Sequence, residues 1–292
     1  VQEGMEILTN SPRVREARRT NVELILSQHN SSCTSCVRGG NCSLQRIAND
    51  LGIYASEYKK DIPKRQWPIE FPLIRDASRC IKCMRCVQIC DKVQDLHIWD
   101  IVKTGSRATV GVTHNLQITQ SDCAICGQCL THCPTGALRE RDDTLQLLSM
   151  QGAFADPDKV TIVQVAPAVR SAWAEELGLD REEATPGRLV AALKALGFDY
   201  VFDTDFGADL TIMEEGSEFL ERMRHREDYT FPMFTSCCPG WVRFLKSQYP
   251  EMIGQLSTAK SPHQMQGAVT KTYLAEKFGL DPDQVYNVSV MP

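Results

Sequence analysis

In the first third of the chain, apolar residues keep a helical period in one place. After Asn10-Ser11, Pro12 opens a stretch in which Val14, Ala17, Val22, Ile25 and Leu26 fall on roughly one side of a helix. Proline suits a first helical position because its missing N–H would be unpaired there anyway. Arg13, Arg15, Arg18 and Arg19 add a basic run, which fits either a solvated face or contact with an acidic partner. From Lys159 onward the pattern changes. Apolar runs at 160–165, 200–202, 231–235 and 285–290 alternate with helical stretches at 187–195, 208–226, 239–248 and 262–278. Strands separated by helices predict an α/β layer with a mainly parallel sheet. Three of these strands end at Ala166-Pro167, Ser236-Cys237-Cys238 and Met291-Pro292. Ligands of open α/β sheets sit beyond the carboxyl ends of strands, so these three places are expected to face one site.

Composition narrows the classes. Lys plus Arg number 32 against 37 for Asp plus Glu, a net charge of -5, so no basic excess exists to neutralise a phosphate backbone and nucleic acid is not expected as a partner. No uninterrupted apolar run approaches the ~18 residues of a membrane span. Val1 to Glu6 shows no signal-peptide pattern, and a start without Met suggests a chain that begins earlier. Thirteen cysteines change the picture. Eleven fall in tight clusters, which in an intracellular chain reads as metal ligation and not as a disulfide framework. A reducing, cytoplasmic location is the expectation.

Two of the clusters repeat one another. Cys80, Cys83, Cys86 and Cys90, and then Cys123, Cys126, Cys129 and Cys133, follow the bacterial Cys-x2-Cys-x2-Cys-x3-Cys spacing for two [4Fe-4S] clusters. Pro134 follows the second run, whereas Asp91 follows the first. The fourth cysteine of each run crosses to the other cube in that arrangement, which assigns Cys80, Cys83, Cys86 and Cys133 to one and Cys123, Cys126, Cys129 and Cys90 to the other. Tetrahedral zinc needs pairs of ligands, not triplets with a trailing fourth. His29, Cys33, Cys36 and Cys42 offer one nitrogen and three thiolates beside Gly39-Gly40, where the backbone can turn tightly. Both a structural zinc and a histidine-ligated [4Fe-4S] cluster take that donor set. The adjacent Cys237 and Cys238 cannot chelate one ion together from a strand, because consecutive side chains point to opposite faces. Glu215, Glu218 and Arg222 share one helix face, as an ordinary salt-bridged surface also would.

Phe234-Thr-Ser-Cys-Cys-Pro-Gly-Trp241 resembles the first signature of the [FeFe]-hydrogenases, and Met291-Pro292 resembles the start of their second, Met-Pro-Cys. The cysteine clusters are similar in order and spacing to that family's accessory domains, and Val165–Val169 and Asp209–Glu215 look like family segments. Val1 to Met5 resembles the end of a plant-type [2Fe-2S] domain. The resemblance implies an iron hydrogenase catalysing reversible 2H⁺ + 2e⁻ to H2 at an H-cluster, a [4Fe-4S] cube joined to a two-iron unit. By residue, it implies Cys238 as a cube ligand, Cys237 as proton shuttle, and Glu215, Glu218, Arg222 and Ser257 as the proton path. Pro167, Ala168 and Met291 match surroundings of the two-iron unit. An ordinary thiol titrates near ~8.5, close enough to neutrality for reversible transfer. His263 stands where some members have glutamine.

The implied organisation is modular, α+β and then α/β. Residues 1–10 would end a preceding [2Fe-2S] domain, 11–62 form the His-ligated [4Fe-4S] domain, 63–152 the ferredoxin-type domain, and 153–292 the N-terminal part of the H-cluster domain. The family's other cube cysteines would follow Pro292, so a fragment is expected. Implied partners are ferredoxin or NAD(P)H-oxidising flavoprotein subunits, with H2 and protons as substrates. Two alternatives share parts of the pattern: the electron-input subunit of an NADH-quinone oxidoreductase or formate dehydrogenase, and a non-catalytic hydrogenase-like iron-sulfur assembly protein. The former lack Thr235-Ser-Cys-Cys-Pro-Gly-Trp241; the latter is not expected to carry the His29 section.

Overall fold

The computed structural model describes residues 2–55, 57–62, 66–175 and 177–291. Val1, Pro63 and Pro292 of the terminal motif lie outside the described residues. Two compact units, residues 1–141 and 142–292, divide the chain.

In the first unit, α1 (Pro12–Ser27) begins where the pattern places it, with Pro12 at its first turn and the Ser11 hydroxyl accepting from the Val14 amide. It packs on α2 (Ser43–Asp50) through a small cluster of Val22, Leu44, Ala48 and Ile53. The ferredoxin-type section is built from very short elements. β1 (Leu73–Arg75) pairs antiparallel with β4 (Leu138–Glu140), and β2 (Trp99–Val102) pairs with β3 (Thr109–Val112). Helices α3 (Arg85–Lys92) and α4 (Gln128–Thr131) lie within the two cysteine runs. The cysteine repeat is also a backbone repeat. Lys82 and Ile125 hold φ of +57° at matching places in the two runs, and Met84 (φ +63°) and Gly127 (φ +72°) do so two residues later, at the start of each helix. A β-branched residue such as Ile125 is strained in the left-handed region. Such a conformation persists only where the surrounding loop dictates it.

The second unit contains α5 (Leu145–Leu148), β5 (Val160–Val165), α6 (Pro167–Ala172), α7 (Pro186–Leu196), β6 (Tyr200–Asp203), α8 (Asp205–Arg224), α9 (Pro239–Gln248), α10 (Pro262–Val269), α11 (Ala275–Phe278) and β7 (Val285–Val290). A π-helical turn, Thr270–Leu274, joins α10 to α11, so the single helix expected over 262–278 changes its winding midway. The three strands form a parallel sheet in the order β6-β5-β7. β5 is central and buried on both faces, as a strand covered by helices on each side must be. Val163 and Val165 face Leu193 and Phe198, whereas Ile162 faces Ala275. Gln164 is fully buried but satisfied: its Nε2 donates to the His263 carbonyl and its Oε1 accepts from Thr204. That side chain ties the sheet to α10 and to the start of α8.

One expected strand is not a strand of this sheet. Residues 231–235 make a single parallel bridge, Phe234 with Leu256. Pro232 cannot donate to a ladder, which leaves the apolar run without a continuous edge to pair. Ser236-Cys237-Cys238 therefore leads from a loop into α9, with Cys238 as the residue preceding the helix. No helix among the described residues is long and apolar enough to cross a membrane.

The close approach of α8 and α10 depends on a missing side chain. A Cβ on Gly207 would lie 2.2 Å from the Pro262 carbonyl oxygen and 3.0 Å from the Gln266 Cβ. Gly216, on the same helix, has no atom near that position. Gly207→Ala should cost about 1–3 kcal/mol through overpacking, whereas Gly216→Ala should be neutral or stabilise by up to ~1 kcal/mol. Denaturant midpoints of the two variants would show this difference.

Candidate functional site

All thirteen cysteines are free thiols. One cavity in the first unit is lined by Cys80, Cys83, Cys86 and Cys133, and another by Cys90, Cys123, Cys126 and Cys129. Each cavity thus takes three thiols from one run and the fourth from the other. α3 produces the exchange: Cys86 lies in its first turn and Cys90 in its last, so one short helix delivers a thiol to each cavity. Among the described residues no three His, Cys, Asp or Glu side chains converge closely enough to hold a single metal ion.

The electrostatics of these cavities are those of a cation's host. Burial, and then the thiols of Cys80, Cys83 and Cys133, push Cys86 up to about 12. Burial likewise pushes Cys129 up to about 12, with Cys123, Cys86 and Cys126 adding to it against a hydrogen bond involving Trp99. Burial also raises Cys90, although the Ile98 and Trp99 amides oppose it. Left alone, such thiols stay protonated; a coordinated cation reverses that and deprotonates them outright.

His29, Cys33 and Cys42 line a third cavity. His29 is buried and its Nδ1 has no hydrogen-bond partner among the described residues. Burial, then the charges of Arg79 and Lys60, hold the imidazole below its ordinary value, which favours the neutral, ligand-competent ring. The expected tight turn is present. Gly40 has φ +81°, and a Cβ on Gly39 would come within 2.8 Å of the Cys33 carbonyl oxygen. Cys36 stands apart from this trio: its Sγ lies against Gly136, where a Cβ would meet it at 2.7 Å.

In the second unit, Glu218, Arg222 and Ser257 form one network. Arg222 is buried at 4% exposure, which removes it from the class of surface ion pairs. Its guanidinium donates to Glu218 Oε1 at 2.6 and 3.1 Å and to the carbonyls of Gly254 and Leu256. Ser257 Oγ donates to Glu218 Oε2 at 2.7 Å and the Thr258 amide to the same oxygen at 3.0 Å. Partial burial works to raise the Glu218 carboxyl, but the hydrogen bonds from Ser257, Arg222 and Thr258 outweigh it and hold the group below the ordinary carboxylate value. Glu215 sits one turn earlier, with a buried Oε1 that has no partner among the described residues.

The network continues toward the cysteine pair. Ser257 Oγ accepts from the Ala259 amide, and the Ala259 carbonyl accepts from Ser236 Oγ. Phe234 pairs along the same segment, donating to the Gln255 carbonyl and accepting from the Ser257 amide. Cys237 follows directly and is exposed. Cys238 is exposed as well, with the Trp241 amide 3.5 Å from its sulfur. Pro167 and Met291 leave the same edge of the sheet, joined by the Ala166 amide donating to the Val290 carbonyl; Pro167 and Ala168 are exposed. Two features escaped the sequence reading. The Thr258 amide carries no side-chain signal at all, and Arg79 was legible only as the partner of Asp76 three residues before it.

Residues 159–292 match the family of the iron only hydrogenase large subunit, C-terminal domain. Residues 18–57 match the NADH-ubiquinone oxidoreductase-G iron-sulfur binding region, and 79–137 the 4Fe-4S dicluster domain. The NADP-reducing hydrogenase subunit HndD of Solidesulfovibrio fructosivorans is 46% identical over 100% of this chain and 50% of its own. Iron hydrogenase 1 of Clostridium pasteurianum is 36% identical over the same shares. Cytosolic iron-sulfur assembly component 3 of Bos taurus is 33% identical, but over 60% of this chain and 38% of its own. The chain spans about half the length of the two hydrogenases. With two cluster regions preceding the large-subunit domain in one chain, this protein belongs to the iron-only, or [FeFe], hydrogenase family.

Proposed function

We propose that this chain is the electron-input and proton-handling part of a reversible hydrogenase, 2H⁺ + 2e⁻ to H2. The observation that carries the reading is the buried Arg222–Glu218–Ser257 network, which runs along the 257–259 segment to the residue beside the exposed Cys237 thiol. An H-cluster, when bound, supplies the redox centre at which protons and electrons combine. Cys238 would hold one corner of its cube, with Pro167, Ala168 and Met291 around the two-iron unit. Cys237 passes protons between that centre and the protein, and Glu215, Glu218 and Ser257 carry them on, Arg222 holding Glu218 in place.

Three [4Fe-4S] clusters would supply the electron relay to that centre. Cys80, Cys83, Cys86 and Cys133 would hold one, Cys90, Cys123, Cys126 and Cys129 a second, and His29, Cys33, Cys36 and Cys42 the third. The thiol-lined cavities and the orphaned His29 nitrogen suit these groups; at the third site Cys36, which lies against Gly136, would have to turn in to complete the set. A flavoprotein subunit oxidising NAD(P)H, or a ferredoxin, is the partner at the input end, in the cytoplasm. A [2Fe-2S] domain preceding residue 1 would extend the relay.

Three measurements test this reading. Anaerobic reconstitution should load about twelve irons, four per site; stoichiometric zinc with His29 would overturn the third cluster. In the full-length protein Cys238→Ser should abolish assembly, because a hydroxyl is a poor substitute for a soft thiolate. Cys237→Ser should keep the infrared bands of the diiron carbonyl and cyanide groups while losing nearly all turnover, with partial recovery in Cys237→Asp.

A further measurement concerns pH. Glu218 is held below the ordinary carboxylate value in the fold, so its contribution is present above the unfolded value and is lost as pH falls through the lower folded one. Glu218→Gln should destabilise by about 1.5–3 kcal/mol at neutral pH, the range for hydrogen bonds to a charged group. The gap to wild type should close as pH falls through the carboxylate range, read from denaturant midpoints of both proteins at each pH.

A further inference from the structure

Among the contacts that join the His29 loop to the Cys80 run is one side chain that neither motif contains. Arg79 immediately precedes Cys80, and only 11% of its side chain is exposed. Its Nε donates to Asp76 Oδ2 at 3.1 Å, which fixes the guanidinium, while Asp76 Oδ1 accepts from Ser78. From there Nη1 and Nη2 reach the carbonyls of Ser32 and Ser35, each at 3.4 Å, on either side of Cys33. Its own carbonyl accepts from the buried Thr135 hydroxyl at 2.8 Å, and the Thr135 carbonyl faces the Cys133 thiol at 2.8 Å. The stem passes the point where Cys36 Sγ meets Gly136.

Other contacts follow the same seam. Asn30 donates its amide to the Ser78 carbonyl, and Arg38 Nη2 donates to the Cys133 carbonyl at 3.1 Å. Arg38 carries a second positive charge across, but it touches only one of the two cradles through its head group. Arg79 alone among these residues contacts the backbone of the Cys33 turn and is bonded in sequence to a thiol of the other cavity.

We infer that Arg79 is a positioning residue that ties the Cys33 turn of the His29 site to the chain entering Cys80, and that its fixed positive charge favours the reduced state of the His29 site. A reduced cluster carries one more negative charge, and a guanidinium fixed on the Cys33 turn stabilises that charge at the His29 site. Asp76 partly offsets the charge, yet it faces Nε, while the two Nη groups point at the Cys33 turn. The inference rests on the His29 site holding a [4Fe-4S] cluster.

The experiment compares wild type, Arg79→Gln and Arg79→Lys of the full-length protein in redox titrations monitored by electron paramagnetic resonance, with iron determined in each. Arg79→Gln should keep the iron count and move the midpoint of the His29 site to more negative potential. The midpoint of the site held by Cys90, Cys123, Cys126 and Cys129 should move least. Arg79→Lys keeps the charge but cannot span two carbonyls, so the midpoint of the His29 site should lie closer to wild type while its signal broadens. An unchanged midpoint at that site in Arg79→Gln with a full iron count overturns the role of Arg79 alone. A wild-type protein lacking iron at the His29 site overturns the cluster reading there, and the role of Arg79 with it.

Discussion

The first unit is organised around the cost of keeping thiols away from water. Burial, with neighbouring sulfurs adding to it, pushes the Cys86 and Cys129 thiols up to about 12. The secondary structure around them is slight: strands of three or four residues and helices of four and eight. Scaffolds with so little regular structure depend on staples, and a bound cation turns the penalty of buried thiols into folding free energy. The left-handed residues Lys82, Met84 and Ile125 belong to the same economy, because each bends a loop around the space the sulfurs enclose.

The second unit draws its stability from ordinary sources. A parallel sheet is covered on both faces, Gln164 secures it to α10 without leaving a polar atom unpaired, and Gly207 lets α8 press against Pro262. This packing has a chemical consequence. It turns one face of α8 toward the 254–258 segment, so that Arg222 meets backbone carbonyls instead of water and Glu218 receives three donors. A carboxylate held in this way is ionised at neutral pH, and a proton passing through it would do so only as the hydrogen bonds around it rearrange.

The two proposed kinds of charge handling are separated along the chain. The thiols proposed to hold electron-carrying clusters lie with short loops, where reorganisation would be small once a cluster is held. The groups proposed to carry protons lie on a long helix and the loop beside it, where hydroxyls, an amide and a carboxylate line up at hydrogen-bond distance. Arg79 shows the first kind of site depending on residues outside the ligand motifs, since the loop that bears Cys33 is held by carbonyl contacts that no cysteine spacing records.

Much of this was determined locally and was therefore legible in the sequence. The start of α1 at Pro12 and the strands at 160–165 and 285–290 follow from turn chemistry and apolar runs, which act within a few residues. α3 is short enough to present Cys86 and Cys90 at opposite ends, one in the lining of each thiol-lined cavity. Other features required the tertiary structure. Periodicity placed Glu218 and Arg222 on one face but could not say what covers it, and only the packing of residues 254–258 makes that face buried. The apolar run at 231–235 looked like a strand, yet a strand needs a partner along its whole edge, and Pro232 together with the single bridge to Leu256 leaves it without one. Cys36 against Gly136, and Arg79 on the Ser35 carbonyl, are contacts across about a hundred and about forty-five residues of chain. Contacts of that range are decided by which loops fold against each other, and local pattern carries no record of it.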